Sequence, residues 1–498
     1  FRTRDLPDLR SARGSPTPAM SMSTAREPFA GEGPLPSKRQ TAIQLMKIAG
    51  PTMFSNFLQL LNEFTNTVCL GRVGNDAELA AVGLGNMMQN CFGLSIAFGL
   101  TTALDTLVSQ AHGAQQHQLC VHYLQRSRVI GALQLLWMFP ILWFSEDLLI
   151  AVGQHAEVAK HACNYNRVAA FGLFFLFQHT NTLSYMRNKN MPNAAAWISG
   201  VTSVLHIVWA LLFIVVFDMG NSGAGAANLT TWTLQCLSGG IFLACNAGKF
   251  HASVWQVLGV QQEGFRQWRS FLTVAIPGTL QLCGEWWFWE ICALVIGFLG
   301  PTPLAAHVAT INLVALLFMP SVALSSAASA VVGNSIGELR PDKSRQAAWV
   351  AVAMDVVMWT VLALILVTLG KFVVKLLSAD PHVQEITVNL INIYCVAGYF
   401  DNVQNVMGGA LRGVGINQAP AAVYLICYYL IMLPVGCCFV WPLKKGVYGM
   451  WWSMVLGTGM ATISLGVLLY RVDWAAKSAE SEERRLKEDM STPSSSQD

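Results

Sequence analysis

Residues 271–299 read FLTVAIPGTLQLCGEWWFWEICALVIGFL. A helical membrane span needs about 20 mainly apolar residues, so this run is long enough to cross. Near its middle, however, it carries Glu285 and Glu290. A carboxylate at the bilayer centre costs about 2.5–3.5 kcal/mol on insertion scales, and packing an apolar helix requires no acid at all. Two acids in one span point to binding of something that crosses the membrane: a cation, a proton, or both in turn.

The rest of the chain is built like this stretch. Of its 498 residues, 53% are hydrophobic and 12% charged, against about 25% charged in ordinary soluble domains. Apolar runs of spanning length recur, and the short alternating segments of a β-barrel do not. The fold class is therefore an all-α polytopic membrane protein. A net charge of +3 gives no reason to expect nucleic acid. The twelve cysteines lack zinc-ligand or secreted-disulfide spacing and read as small core residues. No phosphate-binding Gly-x-x-x-x-Gly-Lys-Ser/Thr loop occurs, so transport is not expected to be ATP-driven. Gly333-Asn334-Ser335-Ile336-Gly337 matches a nucleophile elbow by letter, but it ends a predicted span rather than a strand. Neither an enzyme nor a bound cofactor or metal is expected.

Polar, Gly and Pro breaks divide the chain into twelve spans, near 43–70, 79–107, 123–145, 163–186, 193–217, 225–247, 268–299, 304–333, 346–370, 385–410, 417–441 and 447–471. They group as a bundle over 43–247, a linker over 248–267 and a bundle over 268–471. Residues 1–42 are too polar to fold alone and are expected to be disordered. Residues 472–498 are expected to form a short helix that frays. The chain begins with Phe, and Met20 and Met22 are candidate starts. Twelve spans put both termini on one side. The loops there are richer in Lys and Arg, from Arg126 and Arg128 through Arg340, Lys343 and Arg412. The positive-inside rule makes that side cytoplasmic. The membrane itself, plasma membrane or an acidic organelle such as the vacuole, stays open. The sequon Asn228-Leu229-Thr230 lies too near the bilayer to be glycosylated.

The two bundles repeat one another. Pro51 opens a segment reaching Gly71-Arg72-Val73-Gly74 and Leu79-Ala80-Ala81; Pro277 opens one reaching Gly297-Phe298-Leu299-Gly300 and Leu304-Ala305-Ala306. Ser109-Gln110-Ala111-His112-Gly113 likewise aligns with Gly333–Gly337. Six spans separate the copies, so the repeats are parallel and their symmetry axis runs along the membrane normal. The cleft between them is the expected substrate path.

With these motifs, together with Ala103–Gly113, Glu285-Trp286-Trp287, Val332-Gly333-Asn334 and Gly409–Gly415, the chain resembles the multidrug and toxin extrusion (MATE) transporters over about residues 43–471. The Glu-Trp-Trp form is similar to the eukaryotic branch. The resemblance implies two six-helix bundles in a V. It implies a monomeric antiporter that exports an organic solute, usually cationic, as protons enter, rather than sodium. It also implies coupling acids in spans seven and ten, where Glu285 and Asp401 match. Bacterial members carry an aspartate in span one; here Asn66 stands in its place and cannot titrate. A glutamate known in span eight of some animal members is matched by Asn312. Coupling is thus expected in the C-terminal half. A lipid or oligosaccharide flippase of the same two-bundle build is the alternative, and a shortage of basic residues in the spans weighs against a phosphorylated lipid.

Helical geometry refines the candidates. Glu285 and Glu290 are five residues apart, about 140° around a helix. Glu285 then shares a face with Trp289, and Glu290 with Trp286. In span ten Tyr394, Asp401, Gln404 and Asn405 form one polar stripe. Trp286, Trp287, Trp289 and Tyr394 are expected either to hold an organic cation by cation–π contact or to serve as packing. The substrate-binding set is Glu285, Glu290, Trp286, Trp289, Tyr394, Gln404, Asn405, Asn66 and Asn312. Glu63 is left open between a cavity and a polar cluster with Asn66. Asp355 has no evident partner, Asp105 reads as interhelical glue, and His179, His206 and His307 read as satisfied core residues.

Overall fold

The computed structural model describes residues 33–73, 76–377 and 380–490. Among them every regular element is a helix. Twelve long helices form two bundles. Span one is Lys38–Val73. Span two runs from Asp76–Gln89 through a π-helical turn, Asn90–Leu94, to Ser95–Gly113. His117–Trp143 and Ala156–Asn188 follow as spans three and four, Pro192–Ala210 with the π-turn Leu211–Val216 as span five, and Gly220–Cys245 as span six. The second bundle holds span seven (Trp268–Gly297), eight (Pro301–Gly337), nine (Pro341–Leu377) and ten (Pro381–Val414). Span eleven runs from Gln418–Leu425 through the π-turn Ile426–Met432 to Leu433–Val440, and span twelve is Gly446–Tyr470.

Six of these are apolar enough to cross a membrane by length and composition alone. Span three reaches that measure only together with Ser145–Ala151, from which it bends by 59°. Spans one, four, six, seven and ten fall short, and they are the ones that bury Asn66, Asn166, Asn228, Glu285 and Asp401. Their polarity is directed inward, where side chains find partners within the bundle.

One expectation at the chain ends is corrected. Residues 38–42 were placed in the disordered N-terminal tail, yet span one starts at Lys38. Ser37 and Gln40 form a capping box, with Ser37 N donating to Gln40 Oε1 at 2.8 Å and Gln40 N to Ser37 Oγ at 3.2 Å. This satisfies donors that a bare helix end would leave orphaned. Gln346 of span nine then holds Pro36 O and Thr41 Oγ1. Residues 1–32 lie outside the described residues. At the other end the expected helix is present, Trp474–Met490, and packs on the body of the protein; 491–498 again lie outside the described residues, as does Gly74, while Gly71 is helical.

The repeat is visible in the packing. Span four lies on six as ten lies on twelve, and span two on four as eight on ten. The bundles meet along span two against seven and eight, and span one against eight. The repeat-related ends of spans two and eight touch each other on the side where both described chain ends lie, hereafter the terminal face. A Cβ on Gly337 would stand 2.0 Å from Gln110 O, and one on Gly113 2.0 Å from Asn334 O. Backbone thus meets backbone across the seam, an approach only glycine permits. Thr106 Oγ1 donates to Arg412 O at 2.7 Å and Gln110 Nε2 to Gly413 O at 2.8 Å, which close the same seam onto span ten.

Gly337→Val is expected to cost at least about 2 kcal/mol, since overpacking against backbone has little room to relax. Gly50→Ala, with nothing within 4 Å, should be neutral or slightly stabilising. Thermal unfolding of the purified variants in detergent compares them; equal midpoints would contradict the seam described here.

Candidate transport site

The second bundle sets a buried acid between another acid and an arginine. Glu285 of span seven is 7% exposed and Asp401 of span ten 2%. The charged groups acting on Glu285 are Asp401 and Arg412. Gln404 Nε2 donates to Asp401 Oδ1 at 3.0 Å and to Tyr428 OH at 2.7 Å. Tyr428 and Tyr394 also stand close to the Asp401 carboxyl. Arg412 lies in the last turn of span ten, and its Nη2 donates to Ser325 Oγ at 2.9 Å. Gly408 leaves room for the three side chains that converge over it: a Cβ there would lie 2.9 Å from Gln281 Nε2, 3.6 Å from Arg412 Nη1 and 3.8 Å from Tyr424 OH. Several buried polar atoms here have no protein partner: Gln281 Oε1, Tyr394 OH, Gln404 Oε1, Asn405 Nδ2, Arg412 Nε and Tyr424 OH. Buried polar groups are normally paired, so such a concentration marks a place built to exchange partners.

The Glu-Trp-Trp-Phe-Trp-Glu run divides as its helical angle requires. Glu285 faces into its own bundle. Glu290 is half-buried and faces Asn90 in the π-turn of span two. Trp286 stands edge-on to Phe98 at 5.8 Å, and Trp287 Nε1 donates to Cys91 O at 3.0 Å. These two rings therefore serve the seam between bundles. Trp289 packs toward Trp451 at 6.1 Å, and Tyr394 stands edge-on to Trp359 at 5.2 Å.

Asn66 lies elsewhere, fully buried in the first bundle. Its Nδ2 donates to Asn228 Oδ1 at 2.8 Å, and its Oδ1 meets His206 Nε2 at 3.1 Å. His206 Nδ1 in turn meets Thr231 Oγ1 at 2.8 Å. From Asn228 the chain of bonds continues to Tyr165 OH, Asn86 and Glu63, whose Oε2 accepts from Asn86 at 3.2 Å. Glu63 thus joins the Asn66 cluster. The sequon asparagine, Asn228, is 1% exposed within it. Asn312 is exposed on span eight. Asp105 Oδ1 accepts from Ser184, Arg187 and Asn188 at 2.7–2.9 Å, which accounts for it as interhelical glue. His307 accepts from Trp451 Nε1 at 3.2 Å, whereas His179 Nδ1 has no partner. Ser335 bonds back to Val331 O within helical span eight, with no elbow around it.

Sequence reasoning missed four members of the cluster. Arg412 was counted as a loop cation. Tyr424 and Tyr428 stack at 5.6 Å in a span read only for length. Asp355 of span nine is fully buried, neither carboxyl oxygen has a protein hydrogen bond, and it acts on both Asp401 and Tyr394. Its presence inside an apolar span was the available signal; only the rotation of span nine reveals its neighbours.

Two parallel-repeat helical bundles with an acidic cluster buried within the spans define a multi-pass integral membrane transporter. A family model described as MatE matches residues 51–212 and again 277–438, once per bundle and in the register of the internal repeat. The chain belongs to the MatE family. It is 27% identical over 437 residues to multidrug and toxin extrusion protein 1 of Homo sapiens, covering 88% of this chain and 76% of that one. It is 27% identical over 449 residues to Protein DETOXIFICATION 36 of Arabidopsis thaliana, covering 89% and 87%. Its fold is shared with the crystal structure of the eukaryotic MATE transporter AtDTX14, with a TM-score of 0.84 at 22% identity over 90% of this chain and 99% of that one.

Asp105→Asn is expected to cost about 3–5 kcal/mol, because it leaves Arg187 without its carboxylate at a largely buried pair. Substrate affinity of the folded fraction should be unchanged. Thermal unfolding and ligand titration on one preparation separate the two effects; a loss of affinity without loss of stability would place Asp105 in the binding site instead.

Proposed function

We propose that this protein exports small organic solutes, organic cations above all, in exchange for protons, by alternating access, with Glu285 and Asp401 as the coupling acids. The observation that carries this reading is that the buried Glu285 lies close both to a second buried membrane acid, Asp401, and to Arg412 inside the second bundle. With both acids ionised, the group of three has an excess negative charge in a medium that penalises it heavily. A proton or an organic cation removes the excess, and the two therefore compete. Binding of the cation displaces protons and binding of protons displaces the cation, which is the exchange an antiporter needs.

The names of the relatives, multidrug and toxin extrusion protein 1 among them, support export of foreign organic compounds. The aromatic surroundings, with Tyr394, Tyr424, Tyr428 and Trp289 near the acids, suit a flat or cationic solute. The absence of a titratable group at Asn66 directs coupling to the second bundle. The terminal face is then the cytoplasmic one, in keeping with its richer Lys and Arg content. A lone arginine among acids would not hold the phosphates of a lipid-linked sugar, so the flippase reading is set aside.

Uptake of tetraethylammonium into proteoliposomes, under an imposed pH gradient or an imposed sodium gradient, tests the proposal. The pH gradient alone should drive accumulation. Glu285→Gln and Asp401→Asn should each reduce it to the level of protein-free liposomes while leaving the protein folded. Accumulation driven by sodium, or undiminished in both amide variants, would overturn it.

A further inference from the structure

The helix Trp474–Met490 lies across the terminal face and touches both bundles. Its Glu488 Oε2 pairs with Arg126 Nη1 of span three at 2.8 Å, the two side chains being 7% and 0% exposed. The other carboxyl oxygen accepts from Ser270 Oγ at the start of span seven. Arg126 Nη2 donates to Gln267 Oε1 at 2.6 Å, so the junction between linker and second bundle is tied in as well. Earlier on the same helix face, Ser481 Oγ donates to Gln110 Oε1 at 2.6 Å, and Arg484 donates to the same oxygen. Arg485 Nη1 donates to Gln116 Oε1 at 3.2 Å. Residues 481, 484, 485 and 488 recur at the three- and four-residue spacing of one helical face. The helix also packs on spans eight, nine and ten.

Gln110 is the junction of these contacts. Its oxygen holds the terminal helix, and its nitrogen donates to Gly413 O of span ten. Span two, span ten and the terminal helix thus meet on one amide, beside the glycine contacts that close the seam. A helix that merely anchored the chain end would bond to one bundle. This one bonds to the first bundle and packs on the second, across the line along which they must part. Its first residue, Trp474, is buried in the apolar core of the second bundle and anchors it there. From Ser481 onward its attachment consists of directional polar bonds and an ion pair, so that part can be released and remade without exposing a hydrophobic surface.

We propose that the helix Trp474–Met490 is a strap that holds the terminal face closed, and that the Arg126–Glu488 pair and the Gln110 contacts must break before that face opens to load substrate. The inference rests on alternating access as proposed above. It is independent of which ion drives transport.

The test reads the opening directly. Spin labels introduced as genetically encoded amino acids at Gln115 and Asp342, exposed residues at the terminal ends of the two bundles, report their separation by double electron–electron resonance in nanodiscs. The full-length chain should give one short distance. Glu488→Gln, Ser481→Ala and a chain ending at Asp473 should each add a longer component. Glu483→Gln should not, since Glu483 is exposed and its carboxyl bonds Lys487 on the same helix. Ser481→Ala removes only a hydroxyl, so it reads the Gln110 contact even where Glu488→Gln compromises folding. Distributions identical to the full-length chain in all three variants would overturn the proposal, as would equal broadening in Glu483→Gln. Longer distances in a protein whose uptake ignores the pH gradient would leave the strap standing and remove the proton reading.

Discussion

A carboxyl group in a membrane span has to be neutral, paired or hydrogen-bonded, because hydrocarbon offers it nothing. That constraint organises the second bundle. Glu285 lies close to both Asp401 and Arg412, Asp401 is held by Gln404, and the tyrosines of span eleven complete the surround. Asp355 is fully buried, with Ser321 and Asp401 as its polar neighbours. The first bundle meets the same constraint differently. Its one interior acid near the cluster, Glu63, sits at the end of an amide-rich chain in which Asn66, Asn86 and Asn228 satisfy one another. Every member of that chain is bonded, whereas several polar atoms around the second-bundle acids have no protein partner.

Arg412 links the acids to the moving parts. Its guanidinium reaches Ser325 and faces Glu285, while its carbonyl accepts from Thr106 of the first bundle. One residue on, Gly413 O holds Gln110, which also holds the terminal helix. In the proposed exchange a proton arriving at Glu285 would remove the charge that Arg412 faces, and the backbone that carries Arg412 is part of the seam. The proposed coupling site and the seam are thus joined through the last turn of span ten.

Much of this was legible in the sequence. Span number, parallel repeat and the pairing of Glu285 with Asp401 follow from hydropathy, spacing and motif. The opposed directions of Glu285 and Glu290 follow from helical angle alone. What was not legible depends on rotation and on where helices really end. Arg412 looked like a loop cation because a composition window cannot tell a basic residue beyond a helix from one in its last turn. Tyr424, Tyr428 and Asp355 lie in spans whose apolar length said nothing about which face turns inward. The π-turns at Asn90–Leu94 and Ile426–Met432, which place Asn90 before Glu290 and Tyr428 before Gln404, leave no mark in propensity. Asn312 was assigned by motif position and is exposed. The terminal helix is charged on nearly every turn, and its docking was not legible because beyond Trp474 it uses hydrogen bonds rather than an apolar stripe.

The central claim is that an organic cation and protons compete for Glu285 and Asp401. It is tested most directly by counting protons released when tetraethylammonium binds to the purified protein in weakly buffered detergent solution. The account predicts proton release on binding by the unaltered chain and none by the Glu285→Gln, Asp401→Asn double variant. Equal release by both would contradict it.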